Sequence, residues 1–421
     1  MRSSEQLALA FDVGTTTIAA SLLNRVTGER LASAGRLNPQ REFGADVVTR
    51  LAAALSSHEE SQTMTRLING ELESLATELC TKAGVNVADI ASMAAAGNSV
   101  IQHLLLGLPV NSLAFPPYRP LFPSGMKLRT IELGWAMDVD CRILPMPGGY
   151  VGGDLVAFLF GALTEGKTDD NPCLYLDLGT NGEIALAAGE KIFATSAAAG
   201  PAFEAGNLAC GMVALPGAID RINLDKGRPE INVIGDCSPV GICGSGAIAA
   251  LAAMLEQGVV DETGRLLAPE EIPSNLANHV QERQGENIFV LYRDANRCIY
   301  LSQNDIRQIQ LAKSAISAGI EVLLSHAGLN KTDLKQVILT GSFGVVLSSQ
   351  DLKNIGIFSE NMVKNCRFVH EGALHGVETS ILAADDFASL DKLAEAIKVI
   401  PLSGTPAFEK NFFEYMNFPK Q

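Results

Sequence analysis

The chain has 421 residues, 47% of them hydrophobic, and a formal net charge of −15 at pH 7. That length predicts two or three domains with substantial cores. The acidic balance excludes a nucleic-acid surface, which needs clustered Lys and Arg against phosphate.

The N-terminus, MRSSEQLALAFD, lacks the long apolar stretch and small-residue cleavage site of a signal peptide. Residues 7–38 read as an apolar strand, a D-x-G-T turn at Asp12–Thr15, a second strand, a T-G turn and a third strand. Helix is expected over most of 45–82, then a short helix and a strand over 85–97. Asn98 can cap the helix that follows, SVIQHLLLG. Within it, His103 is expected to be packed rather than catalytic. The longest apolar runs, such as VIQHLLLGLPV at 100–110, are too short to span a membrane. A cytoplasmic protein with no membrane contact is therefore expected. The Pro-rich stretch 111–123 reads as an irregular loop or insertion.

Residues 161–168, GALTEGKT, match the phosphate-loop pattern G-x-x-x-x-G-K-[ST]. A working phosphate loop leaves a strand and opens a helix, so that N–H groups meet the phosphates. Here the order is reversed. Leu155, Phe158, Leu159 and Leu163 mark one face of a helix that starts near Gly153, and the turn-forming DDNP follows Thr168. The match falls at a helix C-terminus, where exposed carbonyls repel phosphate, and is a coincidence.

The stretch 173–200 repeats the order of 7–38, with a second D-x-G-T turn at Asp177–Thr180 that lies 165 positions after the first. Similarity at that distance implies a duplicated domain rather than a solenoid. Further on come a helix at 244–258, a loop-rich excursion with a strand or two over 259–300, a long amphipathic helix at 304–328 and a strand at 336–341. The sequence GICGSGAIA (241–249) contains G-x-G-x-x-A, but turn-rich residues precede it, so a glycine-rich helix start near a ligand is preferred to a dinucleotide fold. Cys243 within it is read as a small packed residue. The eight cysteines are scattered, the nearest two with five residues between them, and none forms a metal-binding pattern.

The chemistry expected of a D-x-G-T turn is phosphate binding. Glycine lets the backbone approach a ligand, and threonine hydroxyls with turn N–H groups donate to phosphate oxygens. Asp12 and Asp177 cannot face phosphate without repulsion, so each is expected to hold hydrated Mg²⁺. Candidate nucleotide contacts are Asp12, Gly14, Thr15, Thr16 and Thr17, with Asp177, Gly179, Thr180, Asn181 and Gly182 in the second copy. Gly341, Ser342 and Gly344, after the strand at 336, are expected to take the base and ribose. Asp154 and Glu204 are the candidate catalytic carboxylates, each either orienting the attacking water or serving only as a cap or turn group. Glu183 is a weaker candidate for the water shell of the metal.

This order resembles the actin, sugar kinase and heat-shock chaperone (ASKHA) superfamily. GGDLVAFLFGALTE is similar to its first crossing helix and GALHGVETSILAA (372–384) to its second. The resemblance implies an α/β fold of two actin-like lobes, built from duplicated ribonuclease-H-like domains with a nucleotide cleft between them. The expected first lobe is 1–171 and the second 172–371, with 372–421 forming the second crossing helix and a segment returning to the first lobe.

NPQREFGADVVTRL (38–51), GNSVIQHLLLGLP (97–109), VGGD (151–154), DLGTNGEI (177–184), AAAGPAFEAG (197–206), GICGSGAI (241–248), NDIRQIQLAKSAISAGI (304–320) and the tail 401–419 are further similar to the ATPase portion of the reductive activators of corrinoid proteins. That resemblance implies an ATPase using ATP and Mg²⁺, whose hydrolysis assists the return of Co(II) corrinoid to Co(I) in a methyltransferase system. It also implies a corrinoid protein as partner and, for Arg41 and Asp46, a partner-contact role. The iron–sulfur domain common beside this ATPase part is missing from the sequence, which begins almost at the first turn. No iron–sulfur cluster is therefore expected in this chain, and two alternatives stay open: a separate ferredoxin-like donor that supplies electrons, or a purely ATP-driven conformational reactivator. A homodimer stays open, as do two rival functions: a small-molecule kinase of the same superfamily and a non-catalytic, ATP-dependent chaperone that releases cofactor.

Overall fold

Strand Leu7–Val13 (β1) is buried along nearly its whole length, and β2 (Thr17–Asn24) and β3 (Arg30–Leu37) fold back on it in turn, with registers Asp12↔Ala19 and Thr17↔Leu37. The computed structural model describes residues 6–166, 171–341 and 347–420. Helices α1 (Val47–Ser56) and α2 (His58–Ala83) follow, and then β4 (Ile90–Ala96), α3 (Ser99–Leu105), α4 (Asn111–Ala114), β5 (Met126–Arg129), β6 (Asp140–Ile143) and α5 (Gly153–Glu165). The second D-x-G-T segment forms β7 (Cys173–Leu178), β8 (Gly182–Ala188) and β9 (Lys191–Ala197). After them come β10 (Ala218–Asn223), β11 (Glu230–Val233), β12 (Gly241–Ile242), α6 (Gly244–Glu256), β13 (Val280–Arg283), β14 (Glu286–Arg293), β15 (Cys298–Ser302), α7 (Gln303–Ala327) and β16 (Gln336–Thr340). The chain ends with α8 (Ser349–Asn354), α9 (Glu360–Lys364), β17 (Cys366–Phe368), α10 (Gly372–Leu382), α11 (Ala388–Ala396), β18 (Ile397–Val399) and α12 (Pro406–Glu414).

The chain divides into two compact units, Met1–Asp170 with Ala187–Thr195 and Val369–Ile400, and Asn171–Leu186 with Ser196–Phe368 and Pro401–Gln421. The first contains a six-stranded sheet of order β3-β2-β1-β4-β6-β5. In it β1 pairs antiparallel with β2 and parallel with β4, so the duplicated hairpin sits beside a crossover strand. One face of this sheet is sealed by Phe11, Ile18, Met64, Leu72, Ile101 and their neighbours. Trp135 closes that core edge-on to Phe11 at 6.2 Å, with its indole N–H donating to Asn69 Oδ1 at 3.1 Å. In the same unit α10 crosses α5 at close quarters, since a Cβ on Gly376 would lie 1.7 Å from Ala157 O. Strand β18 pairs parallel with β9, Ile397 opposite Ile192.

The second unit orders β17-β16-β7-β8 and adds two three-stranded sheets, β11-β10-β12 and β13-β14-β15. Its β7 pairs parallel with β16 as β1 pairs with β4. The excursion over 259–300 thus contributes two strands and the start of a third. The tail residues 415–418 are anchored on α7 by Lys313, only 1% exposed, whose Nζ donates to the carbonyls of Tyr415 and Asn417 and lies 5.0 Å from the Phe418 ring. His103 is fully buried between Pro109 O and Leu121 N–H, a packed histidine that burial keeps easier to deprotonate than usual. Among the described residues no helix is long and apolar enough to cross a membrane.

The GALTEGKT stretch begins on α5, with Gly161–Glu165 as its last turns and Gly166 as its C-cap. Lys167 and Thr168 lie outside the described residues.

Candidate functional site

In the first unit, Asp12 stands half-buried at the end of β1, opposite Ala96 of β4, and the chain turns through Gly14, Thr15 and Thr16 into Thr17. The turn is tight: a Cβ on Gly14 would meet Thr17 O at 2.6 Å. Asn38, at the end of β3, holds the turn from behind. Its Nδ2 donates to Gly14 O at 2.8 Å, and its N–H donates to Thr16 O at 2.9 Å. Asn98, one residue beyond Gly97, donates from Nδ2 to Thr15 Oγ1 at 2.9 Å and caps α3 by accepting from Ile101 N at 3.0 Å. Helix α5 starts against the same point, since a Cβ on Gly152 would lie 2.3 Å from Gly97 O. The main-chain N–H of Asp154 donates to Gly97 O at 3.4 Å. The first turn, Asn98 and Asp154 are thereby gathered at one end of the sheet.

Asp154 lies in the first turn of α5, its Oδ1 accepting from Leu155 N at 2.8 Å. Burial pushes its carboxyl up to about 6, against the opposing pull of these main-chain donors.

The second unit builds a matching group. Asp177, half-buried, ends β7 opposite Thr340 of β16, so Gly341 leaves its strand beside the second turn as Gly97 does beside the first. Ser342 and Gly344, expected to serve the base and ribose, lie outside the described residues. Gly179 N–H closes the turn onto Asn181 O at 3.0 Å. Thr180 Oγ1 donates to Glu204 Oε2, and Glu204 Oε1 comes within 3.5 Å of where a Cβ on Gly179 would sit. Gly182 is buried, and a Cβ there would meet Ile316 of α7 at 2.9 Å, so close packing accounts for it. Glu183 is 7% exposed and accepts from Ser196 Oγ at 3.4 Å.

Helix α6 approaches the second group as well. A Cβ on Gly244 would fall 1.7 Å from Phe203 O, which brings the first turn of α6 against Pro201–Glu204. The two-residue strand β12 precedes this helix, too short for a dinucleotide-binding βαβ unit. Asn38 and Asn98 have no place among the ligand contacts expected from sequence, whereas the glycine-rich start of α6 was expected near a ligand. For Asn98 the available signal was its cap position, which does not reveal that the other end of the amide reaches Thr15.

Each group offers backbone N–H donors, hydroxyls and carboxylates without a complete first shell for a metal. Among the described residues no group of three or more His, Cys, Asp or Glu could hold an ion directly. Strand-end carboxylates and hydroxyls of this kind fit an octahedral Mg²⁺ that keeps most of its waters and meets phosphate on its other side.

A family model for the C-terminal domain of RACo, the ASKHA domain, matches residues 171–421, and one for the RACo middle region matches 7–163. The chain is 28% identical over 412 residues to the corrinoid activation enzyme RamQ of Eubacterium limosum, covering 96% of this chain and 69% of that protein. It is 23% identical over 381 residues to the [Co(II) methylated amine-specific corrinoid protein] reductase of Methanosarcina barkeri, covering 83% of this chain and 65% of the relative. Among solved structures, a reductive activator for corrinoid,iron-sulfur protein matches with a TM-score of 0.90 and 28% identity, over 100% of this chain and 67% of that one. The chain thus spans about two thirds of the length of these relatives.

Proposed function

The chain belongs to the RACo family, with that family's middle region and its C-terminal ASKHA domain, and from that premise we propose that it is an Mg–ATP-dependent reductive activator of a corrinoid protein. In this reading ATP hydrolysis accompanies the gain of one electron by Co(II), which regenerates the Co(I) nucleophile of a methyltransferase system. The electron comes from a separate one-electron donor such as a ferredoxin-like protein. The observation that carries the proposal is the likeness of the whole chain, at a TM-score of 0.90, to a reductive activator.

In this reading each D-x-G-T turn is a phosphate-binding element. Thr15, Thr16 and the N–H groups of the first turn donate to phosphate oxygens, as do those of Thr180 and Asn181 in the second, while Gly341 with Ser342 and Gly344 takes the nucleoside. Asp12 and Asp177 are the residues that would each face hydrated Mg²⁺, and the ion would supply charge neutralisation at the phosphates. Of the two candidate carboxylates, Glu204 is assigned the attacking water. Its side chain is steadied by Thr180 at the turn, whereas Asp154 accepts a hydrogen bond from its own helix.

Asp177→Asn and Glu204→Gln separate these roles. Asp177→Asn should weaken Mg–ATP binding measured by calorimetry. Glu204→Gln should keep binding within about twofold while hydrolysis falls by about 10²-fold, the scale of a lost general base. Undiminished hydrolysis in Glu204→Gln would remove that residue from the mechanism, and undiminished binding in Asp177→Asn would remove the turn.

A further inference from the structure

The hydrogen bonds at the first turn run in one direction. Ile101 N–H donates to Asn98 Oδ1, which fixes which end of this amide is oxygen, because a flipped amide would set two donors face to face. The Nδ2 end then donates to Thr15 Oγ1. Both side chains are nearly closed to solvent, Asn98 at 4% and Thr15 at 7% exposure. A hydroxyl carries a single proton. With its oxygen occupied by Asn98, Thr15 must direct that proton elsewhere, and it donates to no acceptor among the described residues.

The second turn has the same motif with the opposite polarity. There Thr180 Oγ1 is the donor, and the carboxylate of Glu204 receives its proton. Two copies of one sequence pattern therefore carry threonines in different roles: Thr180 donates to a carboxylate, whereas Thr15 accepts from an amide and donates to no described residue.

Resting on the ATP reading above, we propose that Asn98 is a positioning residue that makes Thr15 an obligate donor to a phosphate oxygen of the nucleotide. Thr180, with its proton committed to Glu204, positions that carboxylate instead. The duplicated turns are thus divided in labour, the first binding phosphate by hydroxyl and the second aiming a carboxylate. The divider in the first unit is an amide that cannot accept the threonine's proton, because its one oxygen already caps α3.

Asn98→Asp tests this directly. Aspartate caps a helix as well as asparagine does, so α3 keeps its start, but the new carboxylate accepts the Thr15 proton and turns it from the ligand. Mg–ATP and adenosine affinities are measured by calorimetry on the full chain, for the unaltered protein, Asn98→Asp, Thr15→Val and the double variant. Either single substitution should weaken Mg–ATP by about tenfold, the lower end for a hydrogen bond to a charged group. Adenosine, which has no phosphate, should change by less than about twofold. In the Thr15→Val background, Asn98→Asp should cost less than it does beside the hydroxyl, because only the repulsion between its carboxylate and phosphate then remains. An Asn98→Asp protein that binds Mg–ATP as tightly as the unaltered one overturns the proposal. So does a loss shared equally by adenosine, or one of undiminished size in the Thr15→Val background, which would be plain charge repulsion. Should Asn98→Asp fail to fold, the Mg–ATP to adenosine ratio of Thr15→Val decides: an unchanged ratio overturns the proposal. An unaltered protein that binds no nucleotide overturns the ATP reading itself, and this inference with it.

Discussion

Asp154 is held where ionisation is unfavourable, its carboxyl pushed up to about 6 by burial. The native state therefore binds this proton more tightly than the unfolded chain does, and the group lowers stability as pH rises from 3.8 to about 6. Asp154→Asn removes the titration. Its melting temperature should match the unaltered protein below pH 4 and exceed it above pH 6, by an amount equivalent to about 1–3 kcal/mol. A pH-independent difference between the two melting curves would contradict this. The placement of the two aspartates at strand ends was legible at this scale because an apolar run stops at D-x-G-T in each copy. The hydrogen-bond partners of Asn98 and Glu204 were not legible: they are chosen by elements 83 and 24 positions away, which no local pattern encodes.

Elements with strong periodicity or clear stops were readable: the hairpins β1–β3 and β7–β9, the cap at Asn98, helices α5, α6 and α7, and the strand β16. Less so were the strands over 280–302. They are short, partly polar and punctuated by Gln284 and Gly285 in left-handed conformations, and a sheet of this kind announces itself only through its pairing. Helix α4, four residues long, carries too little pattern to stand out from the Pro-rich loop around it. The crossing of α5 and α10 rests on a glycine contact that composition alone cannot reveal. Because a Cβ on Gly376 would lie 1.7 Å from Ala157 O, a rigid backbone atom, Gly376→Ala should force the two helices apart. Overpacking of this kind costs about 1–3 kcal/mol, which chemical denaturation would detect as a lower midpoint. A midpoint unchanged from the unaltered protein would mean that the helices accommodate a methyl group without cost.

At the scale of the whole molecule, the duplication gives each unit the same device: a central strand ending in aspartate, a parallel neighbour that leaves through glycine, and a turn of glycine and threonine. The fold class was legible because this device occurs twice in order. The choice of a corrinoid protein as partner was legible only through family resemblance, since nothing in a phosphate turn specifies what its nucleotide drives. The most direct measurement is the absorbance of a corrinoid protein held as Co(II) with a one-electron donor, followed after adding this protein with Mg²⁺, with and without ATP. The Co(I) spectrum should develop with ATP and not without it, and Asp177→Asn should abolish the difference. Equal Co(I) formation in the presence and absence of ATP, or none in either, would contradict an ATP-driven activator.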